Sequence, residues 1–404
     1  MYTFTLVIQV ILLVTFLWAC STIFVGMITR KRSAMPAQEN KKFAIVICAH
    51  NEERVLDKLL KSLISQHYDP ADFHIFLLAD HCKDGTVAIG RRYEQVTVLE
   101  RTSGPRSGKG AVLEWGMEIF LKQYADAYTH VIIFDADNVA DPDFLSAMNE
   151  SFCNGARLVM GNRLPLNPYD NLISEWYSMY WLTVDKLYCL PRYNVYMPAI
   201  ISGTGFGFDI SLIRKDGWHT VTKTEDMEFS MQMNFKGIFP EYQDKAHFYD
   251  EQPVMFHTMI SQLRRWCTGN FQIATTYWRV WLRYFKINFD MRLIDNFIPI
   301  LLCTIFGFYF ITNVCWLVYN AVKGLPLFAP KDIIWWIFLY ILSVRTGYLS
   351  VKKSGLSVKK MLPGILTCGF YCILITLVAV SAFFFPSRTW VPIAHTHTGG
   401  PETK

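Results

Sequence analysis

The apolar residues of this chain are gathered at its two ends, and that placement limits the fold more than any single motif. Residues 2–28 form an almost uncharged stretch, and three further apolar runs, 293–322, 333–351 and 361–385, close the sequence of 404 residues. A bilayer core takes about 20 helical residues, so both ends can cross a membrane while the segment between them must fold in water. Arg30, Lys31 and Arg32 follow the first run at once, and Lys352, Lys353, Lys359 and Lys360 lie between the last two. Basic loops stay in the cytoplasm, which puts residues 30–290 there and the short N-terminus outside. The first run lacks both a basic flank before it and a small-x-small cleavage pattern, so it reads as an uncleaved anchor and not a signal peptide. Three late spans would leave the tail 387–404 outside. Asn296, Pro299 and Asn313 make the first of these irregular, and a re-entrant or interfacial stretch there would return the tail to the cytoplasm. The expectation is a multi-pass protein of the plasma membrane with a cytoplasmic body.

Composition narrows the classes. Hydrophobic residues are 52% and charged residues 18%, below the roughly 25% charged of soluble domains, and this excludes a disordered chain. Thirty-nine basic against 34 acidic residues leave a net charge of +5 without a dense basic run, which argues against a nucleic-acid partner. The ten cysteines are scattered, with no Cys-x-x-Cys pair, and several lie in apolar runs (Cys20, Cys303, Cys315, Cys368, Cys372). They read as reduced, mostly buried thiols, not as a zinc site or disulfide framework.

The middle segment alternates. Phe43–Ala49 is a continuous apolar run suited to a parallel strand covered on both faces, and Leu56, Leu59, Leu60, Leu63 and Ile64 recur at helical spacing. Strands follow at 73–79 and 96–99, a helix at 110–124, and a strand at 129–134 that runs into Asp135. This order predicts an α/β, doubly wound sheet with ligands at the carboxyl ends of the strands. Asn51-Glu52, Asp80 and Asp135-Ala-Asp137 stand at such ends.

Two carboxylates on one turn are costly neighbours unless a cation neutralises them, and a hard divalent ion carrying phosphate oxygens does so; the bland alternative is a solvated turn, with Asp141 and Asp143 as helix caps. Gly104-Pro-Arg-Ser-Gly-Lys109-Gly110 has the wrong spacing for a P-loop, and Ala111 stands where Ser or Thr belongs, yet a basic glycine-rich turn before a helix still suits an anion. Thr224-Glu225-Asp226 follows the flexible stretch 202–207 and opens a helix at 227–234, where an N-cap with acidic first-turn residues is the simpler reading. Gln262-Leu-Arg-Arg265-Trp266 lies in an aromatic helical stretch. There the arginines either snorkel or grip a diphosphate while the indole stacks on a sugar.

Taken in order, Cys48-Ala-His-Asn-Glu52, Ala79-Asp80-His-Cys-Lys-Asp84-Gly-Thr86, Asp135-Ala-Asp137, Thr224-Glu-Asp226 and Gln262-x-x-Arg265-Trp266 resemble the family 2 glycosyltransferases, in particular the membrane-embedded branch of cellulose, chitin and hyaluronan synthases. The resemblance covers about residues 43–269. It implies a GT-A fold, a doubly wound mixed sheet flanked by transmembrane and interfacial helices: an anchor at 1–29, a catalytic domain at 41–255, interfacial helices at 256–290 and membrane helices at 291–386. It also implies a UDP-sugar donor, inversion, and Mg²⁺ or Mn²⁺. By resemblance Asp80 contacts the nucleoside, Asp135 the nucleotide and Asp137 the metal. Asn51, Glu52, Lys109, Gln262 and Arg265 belong to the donor side, Glu225 and Trp266 to the acceptor side, and Asp226 is the general base. Two departures stand out. Ala79-Asp80 replaces a common Asp pair, and Cys-Ala-His-Asn-Glu replaces the common Pro-x-Tyr-Asn-Glu. The implied activity is hexosyl or N-acetylhexosaminyl transfer that elongates a β-linked polysaccharide at the membrane. Single transfer to a membrane lipid is the alternative, and an inert transporter or scaffold the remote one.

Overall fold

The computed structural model describes residues 2–30, 32, 35–287, 290–327 and 330–387; the expected outer tail lies almost wholly outside the described residues. After the apolar helix α1 (Tyr2–Ile28) the chain alternates through β1 (Phe43–Ala49), α2 (Leu56–Ile64), β2 (Phe73–Asp80), α3 (Thr86–Gly90), β3 (Val96–Arg101), α4 (Lys109–Gln123) and β4 (His130–Asp135). There follow β5 (Val139–Ala140), α5 (Phe144–Cys153), β6 (Leu158–Pro165), α6 (Leu172–Thr183), a π-helical turn (Val184–Cys189) and α7 (Leu190–Tyr193). Next come β7 (Phe206–Asp209), α8 (Ser211–Arg214), α9 (Glu225–Phe235) and β8 (Glu241–Asp250). Four long helices complete the chain: α10 (Phe256–Ile287), α11 (Met291–Val322), α12 (Pro330–Lys353) and α13 (Leu362–Phe384).

One eight-stranded sheet runs β3-β2-β1-β4-β7-β6-β8-β5. The first four strands are parallel, β7 is antiparallel to β4 and β6, and β8 is parallel to β6 and antiparallel to β5. Burial on both faces explains why β1 and β4 are almost unbroken apolar runs. Helix α2 buries Leu56, Leu59, Leu60 and Leu63 and turns the Asp57–Lys61 pair outward at 2.7 Å, a one-turn spacing that supports the helix.

The run expected to be irregular at Asn296, Pro299 and Asn313 is one continuous helix, α11, so the chain does not turn back within it. Asp290 caps its start, accepting the Arg292 N–H at 2.8 Å, and packing against α1, α10 and α13 outweighs the poor local helix propensity. Among the described residues two helices are long and apolar enough to cross a membrane, Gln9–Ile28 within α1 and Leu362–Phe384, both of mean hydropathy 2.3. Phe310–Val322 of α11 is a shorter apolar stretch; α12, which carries Arg345 and ends on Lys352-Lys353, is not among them. The cysteines in the described residues form no disulfide, but fewer are buried than composition suggests. Cys20, Cys315 and Cys372 are exposed because they lie on outward faces of the apolar helices.

Candidate active site

The register places the candidate residues side by side. Cys48 pairs with Asp135 across β1 and β4, and Ala49 with Ala79 across β1 and β2, so the turns after β1, β2 and β4 open on one carboxyl edge. Asp80 is only 4% exposed. Its Oδ1 receives the Arg101 guanidinium at 2.9 Å and meets the His81 ring at 2.8 Å. His50 Nδ1 reaches the Asp80 carbonyl at 2.5 Å. The two turns hold each other: Asn51 Oδ1 accepts the Lys83 N–H at 2.8 Å and Thr86 Oγ1 accepts the Glu52 N–H at 2.8 Å. Asn51 and His81 both adopt left-handed backbone, with φ of 58° and 50°. Burial would raise the Asp84 carboxyl, but the Thr86 hydroxyl and the N–H groups of Thr86 and Glu53 hold it below its ordinary value. Arg101 also donates to the Pro105 carbonyl at 3.0 Å, fastening the glycine-rich loop to Asp80.

Across that loop, Lys109 opens α4 and donates to the Asp135 carboxylate and, at 2.7 Å, to the Gly203 carbonyl. Burial works against its charge, yet Asp135 and Glu225 hold the ammonium above its ordinary value. Gly203 has φ of 83°, and a Cβ there would lie 3.3 Å from Asp226 Oδ2; glycine is what lets the loop pass the carboxylate. Lys109, Asp135, Gly203 and Asp226 are thus contiguous. Asp226 is partly exposed and its neighbour Glu225 is buried. Burial raises both carboxyls, while Lys109 and Arg265 pull them back.

Helix α10 closes the site. Its Gly269 allows backbone contact with the Thr224 side chain, and Gln272 Oε1 accepts the Lys223 N–H at 3.0 Å. The Thr224 hydroxyl is buried and makes no hydrogen bond among the described residues, so it does not cap α9. Instead it packs against α10. Trp266 sits among Tyr177, Tyr180 and Trp181 of α6, with ring centroids 5.6, 6.3 and 5.4 Å away. The Arg265 charge bears on both Glu225 and Asp226 and favours their ionised forms. Asp137 is partly exposed on the turn after β4, with the Asn138 amide 3.3 Å from its Oδ1. Asp135 and Asp137 offer only carboxylate oxygens, the donor type that suits a hard divalent ion. Among the described residues no group of three or more acidic, His or Cys side chains is arranged to hold an ion, so such an ion would draw its other ligands from substrate phosphate and water.

Sequence comparison decides the family. The glycosyl transferase family group 2 signature matches residues 130–348 of the 404, and the glycosyl transferase family 2 signature matches residues 44–204. The chain is a family 2 glycosyltransferase. This glycosyltransferase is 24% identical over 336 residues to the probable glycosyltransferase YdaM of Bacillus subtilis (strain 168), covering 79% of the present chain and 77% of that one. The beta-monoglucosyldiacylglycerol synthase of Nostoc sp. is 22% identical over 252 residues, 59% of this chain and 51% of the synthase, so the chain spans about half that relative's length. The solved mannosyltransferase PcManGT from Pyrobaculum calidifontis, in complex with GDP-Man and Mn²⁺, matches with a TM-score of 0.62 over 94% of this chain and 98% of that one at 14% identity. The shared architecture is the GT-A fold expected from the sequence.

The glycosyltransferase gathers the predicted residues in three groups: Asn51, Glu52 and Asp80 at one rim; Lys109, Asp135, Glu225 and Asp226 in the centre, with Asp137 beyond; and Gln262, Arg265 and Trp266 along α10. Sequence reasoning missed the layer beneath. The Asp135 N–H donates to Thr204 Oγ1 at 2.9 Å, and the Thr204 hydroxyl donates to Asn138, whose amide reaches Asp250 at 2.9 Å. Arg163 pairs with Asp250 at 2.7 Å, donates to the Ser202 carbonyl at 3.2 Å and lies 4.1 Å above the Trp181 ring. Asp250 carried a usable signal, because it ends a strand as Asp80 and Asp135 do.

Proposed function

We propose that the chain transfers a sugar from a UDP-sugar to an acceptor hydroxyl at a membrane surface, with inversion at the anomeric carbon. The observation that carries this reading is the contiguity of Lys109, Asp135, Gly203 and Asp226. It sets a cation for the leaving diphosphate beside a carboxylate for the incoming hydroxyl. At the nucleoside end, Arg101 and His81 engage one oxygen of Asp80, which leaves the other to accept a base N–H. Asp226 takes the acceptor proton as the hydroxyl attacks in line and the nucleoside diphosphate departs, a contribution of about 10²–10⁴ in rate. Burial favours the role, because a carboxylate raised toward working pH is the stronger base. Lys109 and Arg265 offset the charge that develops on the leaving oxygen. Asp137 is the residue to hold Mg²⁺ or Mn²⁺, which when bound neutralises diphosphate charge. Trp266 offers a flat face to the acceptor.

Two apolar helices, α1 and α13, and the basic residues after α1 support a membrane location with the site on the cytoplasmic side. A growing β-linked polysaccharide is the acceptor that the motif set suggests. The close packing of α6 on α13 favours the second reading, one transfer to a membrane lipid. The test is a nucleotide-sugar panel on membrane-reconstituted protein, with diphosphate release and product mass measured together. UDP-sugar turnover that falls at least about 10²-fold in Asp226→Asn, with donor binding intact, is the expected result. Near-normal turnover in that variant, or no turnover with any UDP-sugar, would overturn the reading.

A further inference from the structure

Beside Trp266 lie polar atoms that the fold itself does not use. Tyr177 on α6 is 2% exposed and Tyr371 on α13 is 4% exposed, and neither hydroxyl makes a hydrogen bond among the described residues. Gln262 Oε1, on the Trp266 helix, is likewise buried and unbonded. Burying such groups without partners is costly; Tyr177 and Tyr371 belong to the cluster against which Trp266 packs, and Gln262 stands one turn before Trp266 on α10. The Tyr177 ring lies 5.6 Å from Trp266 and 6.3 Å from Tyr371. Arg265, next to Trp266 on α10, bears electrostatically on both Tyr177 and Asp226, which relates the cluster to the proposed base.

We infer that Tyr177, Tyr371 and Gln262, around Trp266, form an acceptor subsite for the hydroxylated head of an acylglycerol-type membrane lipid; this rests on the transfer reading above. Two phenols that can donate and one amide oxygen that can accept match a head bearing ester oxygens and one unmodified hydroxyl. One wall of the subsite is α13, a helix apolar enough to lie beside acyl tails. Behind it the way outward is filled. Trp176 stacks on Tyr371 at 5.7 Å and donates to Thr367 at 2.9 Å, and the Glu175 carboxylate takes the Gly364 N–H at 2.5 Å. A sugar polymer threaded between α6 and α13 would have to break each of these contacts, whereas lipid tails lying along the outer face of α13 leave them in place. Tyr180, 36% exposed and stacked on Trp266 at 6.3 Å, marks the side of entry.

The test uses the full chain in detergent micelles, with radiolabelled 1,2-dioctanoylglycerol and a β-linked oligosaccharide as probes and Tyr177→Phe and Tyr371→Phe as variants. Phenylalanine keeps the ring and removes only the hydroxyl. Each variant should bind dioctanoylglycerol about three- to tenfold more weakly while unfolding no earlier than the parent, since an unbonded buried hydroxyl has been lost. With a donor present, the KM for dioctanoylglycerol should rise by the same factor, with kcat held and a single glycosylated product. Unchanged lipid binding with a raised unfolding temperature would overturn the subsite and leave the phenols as packing. Tighter binding of the oligosaccharide, or a ladder of products, would overturn the lipid class. Equilibrium binding needs no turnover, so the absence of any active donor would defeat the proposed reaction and still leave the subsite decided by its own result.

Discussion

Helix α1 is locked to the body of the enzyme by a buried ion pair, and breaking that pair should be one of the most damaging single changes away from the site. Arg192 of α7 is 0% exposed and Asp295 of α11 is 2% exposed. Asp295 accepts both terminal nitrogens of the guanidinium, one of them at 3.0 Å, and also Trp18 Nε1 of α1 at 2.7 Å. Thr22, one turn further along α1, accepts from Arg192 at 3.0 Å, and the Tyr188 ring lies 4.1 Å from the guanidinium. Asp295→Ala would leave a buried cation with little more than the Thr22 hydroxyl and the distant Pro198 carbonyl at 3.5 Å. Removing one partner of a buried pair costs about 3–5 kcal/mol, and the orphaned indole N–H adds about 1 kcal/mol. The double variant Arg192→Met/Asp295→Leu discards both charges and should recover most of that loss. The assay is chemical unfolding in detergent followed by tryptophan fluorescence, with the two single variants and the double compared. A loss below about 1 kcal/mol in Asp295→Ala, or a double variant as unstable as the sum of the singles, would show that the pair does not hold α1.

Other outcomes follow from the site. Asp137→Ala should abolish the metal-dependent part of nucleoside diphosphate binding, seen as titrations that no longer respond to a chelator; parent activity that survives chelation would remove the metal role. Trp266→Ala should impair transfer more than donor hydrolysis by water, because misplacing an acceptor by about 1 Å costs roughly 10² in rate; an unchanged ratio of the two rates per inserted molecule would refute the platform. Burial pushes the Asp185 carboxyl up from 3.8 to about 7 against the pull of the Arg163 N–H. Between those values the folded state holds a proton that the unfolded chain releases, so this group's contribution is present at low pH and lost as pH rises through about 7. Asp185→Asn keeps an acceptor for the Arg163 N–H and should flatten the stability profile from about pH 4 to 7, and a profile that still falls as in the parent would refute the assignment.

The sheet's first half was legible because its physics is local. An unbroken apolar run at 43–49 and a leucine stripe at 56–63 admit few other structures, and Asp80 and Asp135 announced the ligand edge by ending such runs. What was not legible depended on distance along the chain. Nothing near Arg101 says that it will meet Asp80, and nothing near Arg163 says that it will neutralise Asp250, since both contacts exist only after the strands pair. Thr224 looked like a helix cap by position, but α10 packs over its side chain. The irregular residues of α11 argued for a break on propensity alone, and tertiary packing overrode them.

At Asn51 and His81 the enzyme carries backbone postures that unaided folding disfavours. Left-handed residues other than glycine are uncommon, and sparsely populated backbone regions cost of order 1–3 kcal/mol each, less for asparagine. Glycine at either position would relieve that cost. It would also delete the Asn51 hold on the Lys83 N–H or the His81 contact with Asp80, and the two turns would come to rest in many positions instead of one. Relaxed backbone and a fixed rim are therefore opposed at these two residues. A descendant that took glycine at either position would trade one fixed rim for a looser one.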